Sequence, residues 1–187
     1  MPVLSSQLMA ATTLTVVGAA LFLGAVMTVG DFVWAYFNVR HTTMSGILHG
    51  VAMCLCLGAV VGARAGRLAA GLLVGPLIGV LAAGAFYALA PTLQWGAMLP
   101  AWMLFWICFA LLQHVLVRET LLRALGRGLA AAVASGLAFY AISGIWTNPA
   151  RGGPNYLVLL IYWSFAFLPG FVALFARAPA RGRGASL

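Results

Sequence analysis

Six long apolar runs, separated by short clusters of arginine, glycine, proline and asparagine, make up most of the chain. Cutting at those clusters places the runs near residues 8–37, 43–63, 68–90, 97–117, 128–146 and 156–176. A hydrocarbon core about 30 Å thick is crossed by roughly 20 helical residues rising ~1.5 Å each, so every run is long enough for one crossing. Backbone N–H and C=O groups find no water inside lipid and must pair within the segment, which makes helices of uninterrupted apolar runs. The pattern predicts an all-α, polytopic transmembrane bundle of about six spanning helices, with residues 1–187 forming a single integral membrane domain. The first run exceeds one crossing, so its helix tilts or projects beyond the bilayer where Asp31 to Val39 lie.

Composition removes the soluble alternatives. Of the 187 residues, 64% are apolar and 6% charged, with a mean hydropathy of +1.07, against roughly 25% charged in ordinary globular chains. The formal net charge of +8 comes from scattered arginines without a dense patch or an aromatic-basic stripe, which speaks for the lipid bilayer as partner and against nucleic acid. Membrane orientation explains them better. Arg64, Arg67, Arg118, Arg123, Arg127, Arg177, Arg181 and Arg183 fall at one end of the predicted spans, and only Arg40 and Arg151 at the other. Arginine is retained on the cytoplasmic side during insertion, so both termini are expected there. Lysine is absent while alanine and glycine abound, a coding bias that points to a GC-rich bacterium and to its inner, cytoplasmic membrane. Met1 to Gln7 lacks the basic start of a secretory signal, so the first helix is expected to be retained. Cys54, Cys56 and Cys108 all lie inside apolar runs and read as small buried residues rather than a disulfide framework.

An internal pattern adds a finer expectation. Gly66-Arg67 opens the third run, which closes near Phe86-Tyr87, while Gly126-Arg127 precedes the fifth, which closes near Phe139-Tyr140. The two spacings differ by seven residues, nearly two helical turns, which returns Phe-Tyr to much the same face. Together with the aromatic end of the first run, this reads as three repeated helical hairpins in one orientation, of the kind that parallel-repeat transporters use. Gly71, Gly75 and Gly79 on the third run, and Gly58, Gly62 and Gly66 at the end of the second, each recur every four residues and predict close helix packing, and Gly75-Pro76 and Pro169-Gly170 predict kinks or breaks.

The polar inventory is short. Asp31 and Glu119 are the only acids. Glu119 is expected in an exposed pair with Arg118 or Arg123, where an ion pair contributes little. Asp31 interrupts an apolar run, where an ionisable group costs roughly 2.5–3.5 kcal/mol at a helix centre, so it needs a partner or water. Arg40, His41 and His49 are its nearest candidates, and His41, Ser45 and His49 share one helix face that Met53 and Cys56 continue inward. Three readings stay open: a structural pair fixing the first hairpin, a pocket open to the outer side, and a metal or haem site. For the metal reading Asp31, His41 and His49 are weak ligand candidates, because the two histidines are about 12 Å apart along the helix axis and a third ligand is missing.

Tryptophans and tyrosines gather toward the outer half, including Trp34, Tyr36, Trp95, Trp102, Trp146, Tyr156, Tyr162 and Trp163. A stripe of Trp102, Phe105, Trp106 and Phe109 runs along the fourth helix. Together these predict an outward-facing pocket near Asp31, Arg40, His41 and His49, lined by Trp34, Tyr87, Trp102, Tyr140 and Trp163, which binds or transports a small molecule or lipid. No catalytic residue, phosphate loop or paired carboxylate is found, so a binding protein is favoured over an enzyme, and no cofactor is named. The alternatives are an accessory subunit packed into a homo-oligomer or larger membrane complex and, behind it, a metal-dependent intramembrane enzyme.

Overall fold

The computed structural model describes the backbone of residues 2–38, 43–146 and 155–176, with side chains from residue 12 onward except at 95 and 143–146. Among these residues there are six helices long and apolar enough to cross a membrane, and no strand. They are α1 (Pro2–Tyr36), α2 (Thr43–Arg64), α3 (Leu68–Leu93), α4 (Met98–Val117), α5 (Leu121–Trp146) and α6 (Tyr156–Phe175), with a 3-10 turn Gln94–Ala97 before α4. The protein is a multi-pass membrane protein built as a six-span helical bundle.

Local chemistry sets the helix ends. Asn38 with φ 54° stops α1, and Arg118 with φ 54° stops α4. Gly66, at φ 68°, turns the chain between α2 and α3: its N–H donates to Ala63 O and that of Arg67 to Gly62 O, pairing the last carbonyls of α2. Gly66 therefore belongs to the turn and not to the packing face expected for it, since nothing lies within 4 Å of a Cβ placed there. Asn155 caps α6, its side-chain oxygen accepting from Val158 N–H at 3.3 Å. Pro76 and Pro169 both lie inside helices that continue past them, so neither breaks its span. The first helix runs 35 residues, about 52 Å, well beyond one bilayer crossing. The fifth starts at Leu121 rather than near 128, because Arg123 and Arg127 are tolerated where their stems can reach the interface.

Lipid offers helices no hydrophobic incentive to associate, so close packing must hold the bundle. The tightest pair is α2 with α3. A Cβ at Gly71 would collide with the Gly58 carbonyl, one at Gly75 with the Cys54 carbonyl, and one at Gly79 would sit 2.6 Å from Gly50 O. The two backbones touch where a larger residue would part them. Around the rest of the ring, α1 packs on α6, α6 on α5 and α5 on α4, whereas α1 meets α2 and α3 meets α4 more lightly. Two groups result, α2–α3 and α4–α5–α6–α1, joined along a looser seam.

Aromatic side chains fill the larger group. Trp102, Phe105, Trp106 and Phe109 of α4 all point inward and are at most 4% exposed. Trp106 lies edge-on to Phe171 at 5.6 Å and directly over Gly170, whose missing side chain makes room for the ring. The two Phe-Tyr pairs do not occupy equivalent places: Phe139 is buried while Tyr140 is exposed, whereas Phe86 and Tyr87 both turn to the bundle interior. The closest packing runs between α2 and α3 and between α1 and α6.

At the arginine-bearing end, Glu119 pairs with Arg127, not with Arg118 or Arg123, and its side chain is only 7% exposed. The expectation of a solvated pair is thereby corrected. Arg127, on α5, reaches back to Glu119 in the connection just before that helix, and Arg127 Nη1 also donates to Leu174 O at 3.2 Å and Ala176 O at 3.4 Å. Arg127 thus caps α6, and Arg64 lies 4.4 Å over the Phe175 ring.

Candidate functional site: an aromatic cavity beside Asp31

The looser seam leaves a cavity of about 300 Å³ at the end of the bundle opposite Arg64, Arg67, Arg118 and Arg123. Its wall is built from Met27, Asp31 and Trp34 of α1; Ser45, Gly46, His49, Gly50 and Met53 of α2; Ala82, Ala83, Phe86 and Tyr87 of α3; Met98, Ala101, Trp102 and Phe105 of α4; and Trp163 of α6. Spacings of three and four along each helix bring these positions to one inner face. The space exists because Gly50, Ala82, Ala83 and Ala101 present little side chain where α2, α3 and α4 converge.

Two polar groups anchor one side. The Trp163 indole N–H donates to Asp31 Oδ2 at 2.9 Å, tying α1 to α6. The Trp34 indole N–H donates to His49 Nδ1 at 2.8 Å, tying α1 to α2. Because Nδ1 accepts, the imidazole in this arrangement is neutral and carries its proton on Nε2. The His49 ring lies between the two indoles, 6.4 Å from Trp34 and 6.2 Å from Trp163. Gly30 makes this possible: a Cβ there would come within 3.0 Å of the His49 ring. Gly46 does the same for Tyr87, whose hydroxyl occupies the place a Cβ would take.

The opposite wall is apolar and rigid. Trp102 stacks on Phe139 at 4.7 Å and on Phe167 at 5.6 Å, with Phe105 edge-on at 4.9 Å. Its N–H donates to Ser135 Oγ at 2.9 Å, and Ser135 Oγ in turn donates to Ala166 O at 2.6 Å. All three cavity tryptophans therefore spend their N–H on protein partners while their rings form part of the cavity wall.

Of the residues singled out in the sequence, Asp31, Trp34, His49, Tyr87, Trp102 and Trp163 come together around this cavity. Tyr140 does not join them. Stacking of Phe139 on Trp102 turns that side of α5 inward, and the next residue, about 100° further round the helix, faces out. Arg40 and His41 lie outside the described residues, as do the side chains of Trp95 and Trp146. Cys56, expected to continue the polar stripe, is half-buried at the edge of the core and does not line the cavity. Among the described residues no three of His, Cys, Asp and Glu converge on one point. Sequence reasoning missed Ser45's neighbours Gly46 and Gly50, the methionines Met27 and Met98, and the Ser135 anchor. Asp31 to Trp34 at three residues apart was a readable signal for the tryptophan; nothing in the sequence points Ser135 at Trp102.

No family model matches the chain, and no characterised protein or solved structure is detectably similar to it.

Proposed function

We propose that this membrane protein binds or moves a small molecule, or the polar end of a lipid, in the cavity beside Asp31, with that end of the bundle facing away from the cytoplasm. The observation that carries the reading is the cavity itself: about 300 Å³, aromatic, and holding the one carboxylate that interrupts an apolar span. Ionisable groups inside membrane spans cost several kcal/mol and turn toward protein interiors or cavities, where they meet ligands. A concave, largely apolar site with a few convergent polar groups is the usual form of a small-molecule site, and this volume lies at the small end of that range. The orientation rests on arginine: the described ones, Arg64, Arg67, Arg118, Arg123 and Arg127, fall at the end away from the cavity. Within the cavity Asp31 supplies charge, His49 Nε2–H and the Tyr87 hydroxyl supply polar contacts, and the indoles supply surface.

Native mass spectrometry of the full chain released from nanodiscs tests this against Ala83→Phe, which fills the cavity from a half-buried position on α3. The wild type is expected to retain a discrete small mass that the filled variant loses while remaining folded. Identical spectra, with no retained mass in either, would refute the binding reading.

A further inference from the structure

Resting on that binding reading, we infer that the ligand is a small organic cation, a protonated or quaternary amine, held against Asp31 within the box formed by Trp34, Trp102, Trp163 and Tyr87. Asp31 faces the cavity, and among the described residues it has no cationic partner; its hydrogen bond comes from the neutral Trp163 indole. His49 does not serve as the counter-ion, since its Nδ1 accepts from Trp34 and the ring is neutral. The nearest cations described, Arg64, Arg67, Arg118, Arg123 and Arg127, all lie at the other end of the bundle. A carboxylate in low dielectric without a counter-charge is costly; among the described residues none neutralises Asp31, and a cation in the cavity removes that cost.

The surrounding rings select the kind of cation. Each indole commits its N–H to protein, so no tryptophan donor is left to solvate an anion or a carbonyl. Beside the His49 Nε2–H and the Tyr87 hydroxyl, what the aromatic wall offers is π surface, negative at the ring face and attractive to an alkylated ammonium. A divalent metal is a poor match, because it takes several oxygen or nitrogen ligands and no three metal-binding side chains converge among the described residues. At ordinary packing density the cavity accommodates about a dozen non-hydrogen atoms, the size of a small amine or of a lipid's ammonium headgroup.

The test uses the full chain in dodecyl maltoside, an uncharged detergent without amine, with tryptophan fluorescence read on titration. The probes are benzyltrimethylammonium, its neutral carbon isostere neopentylbenzene, and the anion phenylmethanesulfonate. The cation is expected to bind at least about tenfold more tightly than the isostere, and the anion not at all. Asp31→Asn is expected to bring the cation down to the affinity of the isostere while leaving the isostere's own binding unchanged. Should that variant not fold, the wild-type comparison decides alone. Equal affinity for cation and isostere, both abolished by Ala83→Phe, overturns the cation inference and leaves the binding reading standing. Absence of saturable binding by every probe removes both. A cation preference that emerges only in Arg40→Gln means that Arg40 already neutralises Asp31, and likewise overturns the inference. Added dioctanoyl phosphatidylcholine identifies the source: competition with benzyltrimethylammonium supports a lipid headgroup, and its absence with preference intact supports a free amine.

Discussion

Replacing Ser135 by alanine removes one hydroxyl from the point where α4, α5 and α6 meet. Ser135 is fully buried and accepts from Trp102 N–H at 2.9 Å while donating to Ala166 O at 2.6 Å. In Ser135→Ala the Ala166 carbonyl keeps its place in the helix, but the indole N–H is stranded, since Trp102 is 4% exposed and held by Phe139 and Phe167. Stranding a buried donor costs about 1–3 kcal/mol in general, yet side-chain hydrogen bonds inside membranes average about 0.6 and reach about 1.7 kcal/mol in double-mutant cycles. The stacked indole has no room to turn toward another acceptor, so a value in the upper part of that membrane range, about 1–1.5 kcal/mol, is expected. Reversible unfolding in mixed micelles measures it. The informative quantity is the coupling between Ser135→Ala and Trp102→Phe, because the phenyl ring has no N–H to strand and its packing loss is common to both sides of the cycle. Coupling near 1 kcal/mol supports the anchor. If the two losses simply add, within about 0.3 kcal/mol, Ser135 does not hold Trp102 and the cavity's apolar wall is fixed by stacking alone.

The other predictions concern packing and orientation. Gly71→Leu drives a side chain into the Gly58 carbonyl and is expected to cost about 1–3 kcal/mol or more, read as a lower midpoint of thermal unfolding in detergent. Gly84→Ala, where nothing lies within 4 Å, is the control and is expected to be neutral or slightly stabilising; matching behaviour of the two variants would contradict the close α2–α3 contact. For orientation, single cysteines replacing Phe37, 66% exposed, and Leu122, 83% exposed, are introduced into a chain with its three native cysteines removed. An impermeant maleimide added to intact cells is expected to label Phe37→Cys, and Leu122→Cys only after permeabilisation. The reverse pattern inverts the proposed topology.

The candidate site was partly legible for a physical reason. An acidic residue inside an apolar run is expensive wherever it sits, so Asp31 stood out from one dimension alone, and the four-residue step from Ser45 to His49 identified the α2 face that meets it. Tyr140 shows where this reasoning fails. Its match to Tyr87 in local sequence said nothing about which side of α5 would turn inward, and the stacking of Phe139 on Trp102 decided that. Glu119 failed in the same way: it looked solvated beside Arg118 and Arg123, but the early start of α5 carried Arg127 onto its side.

By itself the sequence determined the number and helical nature of the spans, because apolar length against bilayer thickness and the need to pair every backbone group are local constraints. It also marked α2 and α3 as helices built for close packing, since glycines four residues apart form a smooth stripe that can be read without coordinates, but which helix each stripe meets was left to the fold. Only the tertiary structure decided which helices close the ring, that a seam between α2–α3 and the other four stays loose, and that Asp31, His49 and three indoles share one cavity there. Those outcomes depend on how each helix rotates about its axis. In lipid that rotation is set by side-chain packing between distant segments, and no hydrophobic stripe in the sequence records it.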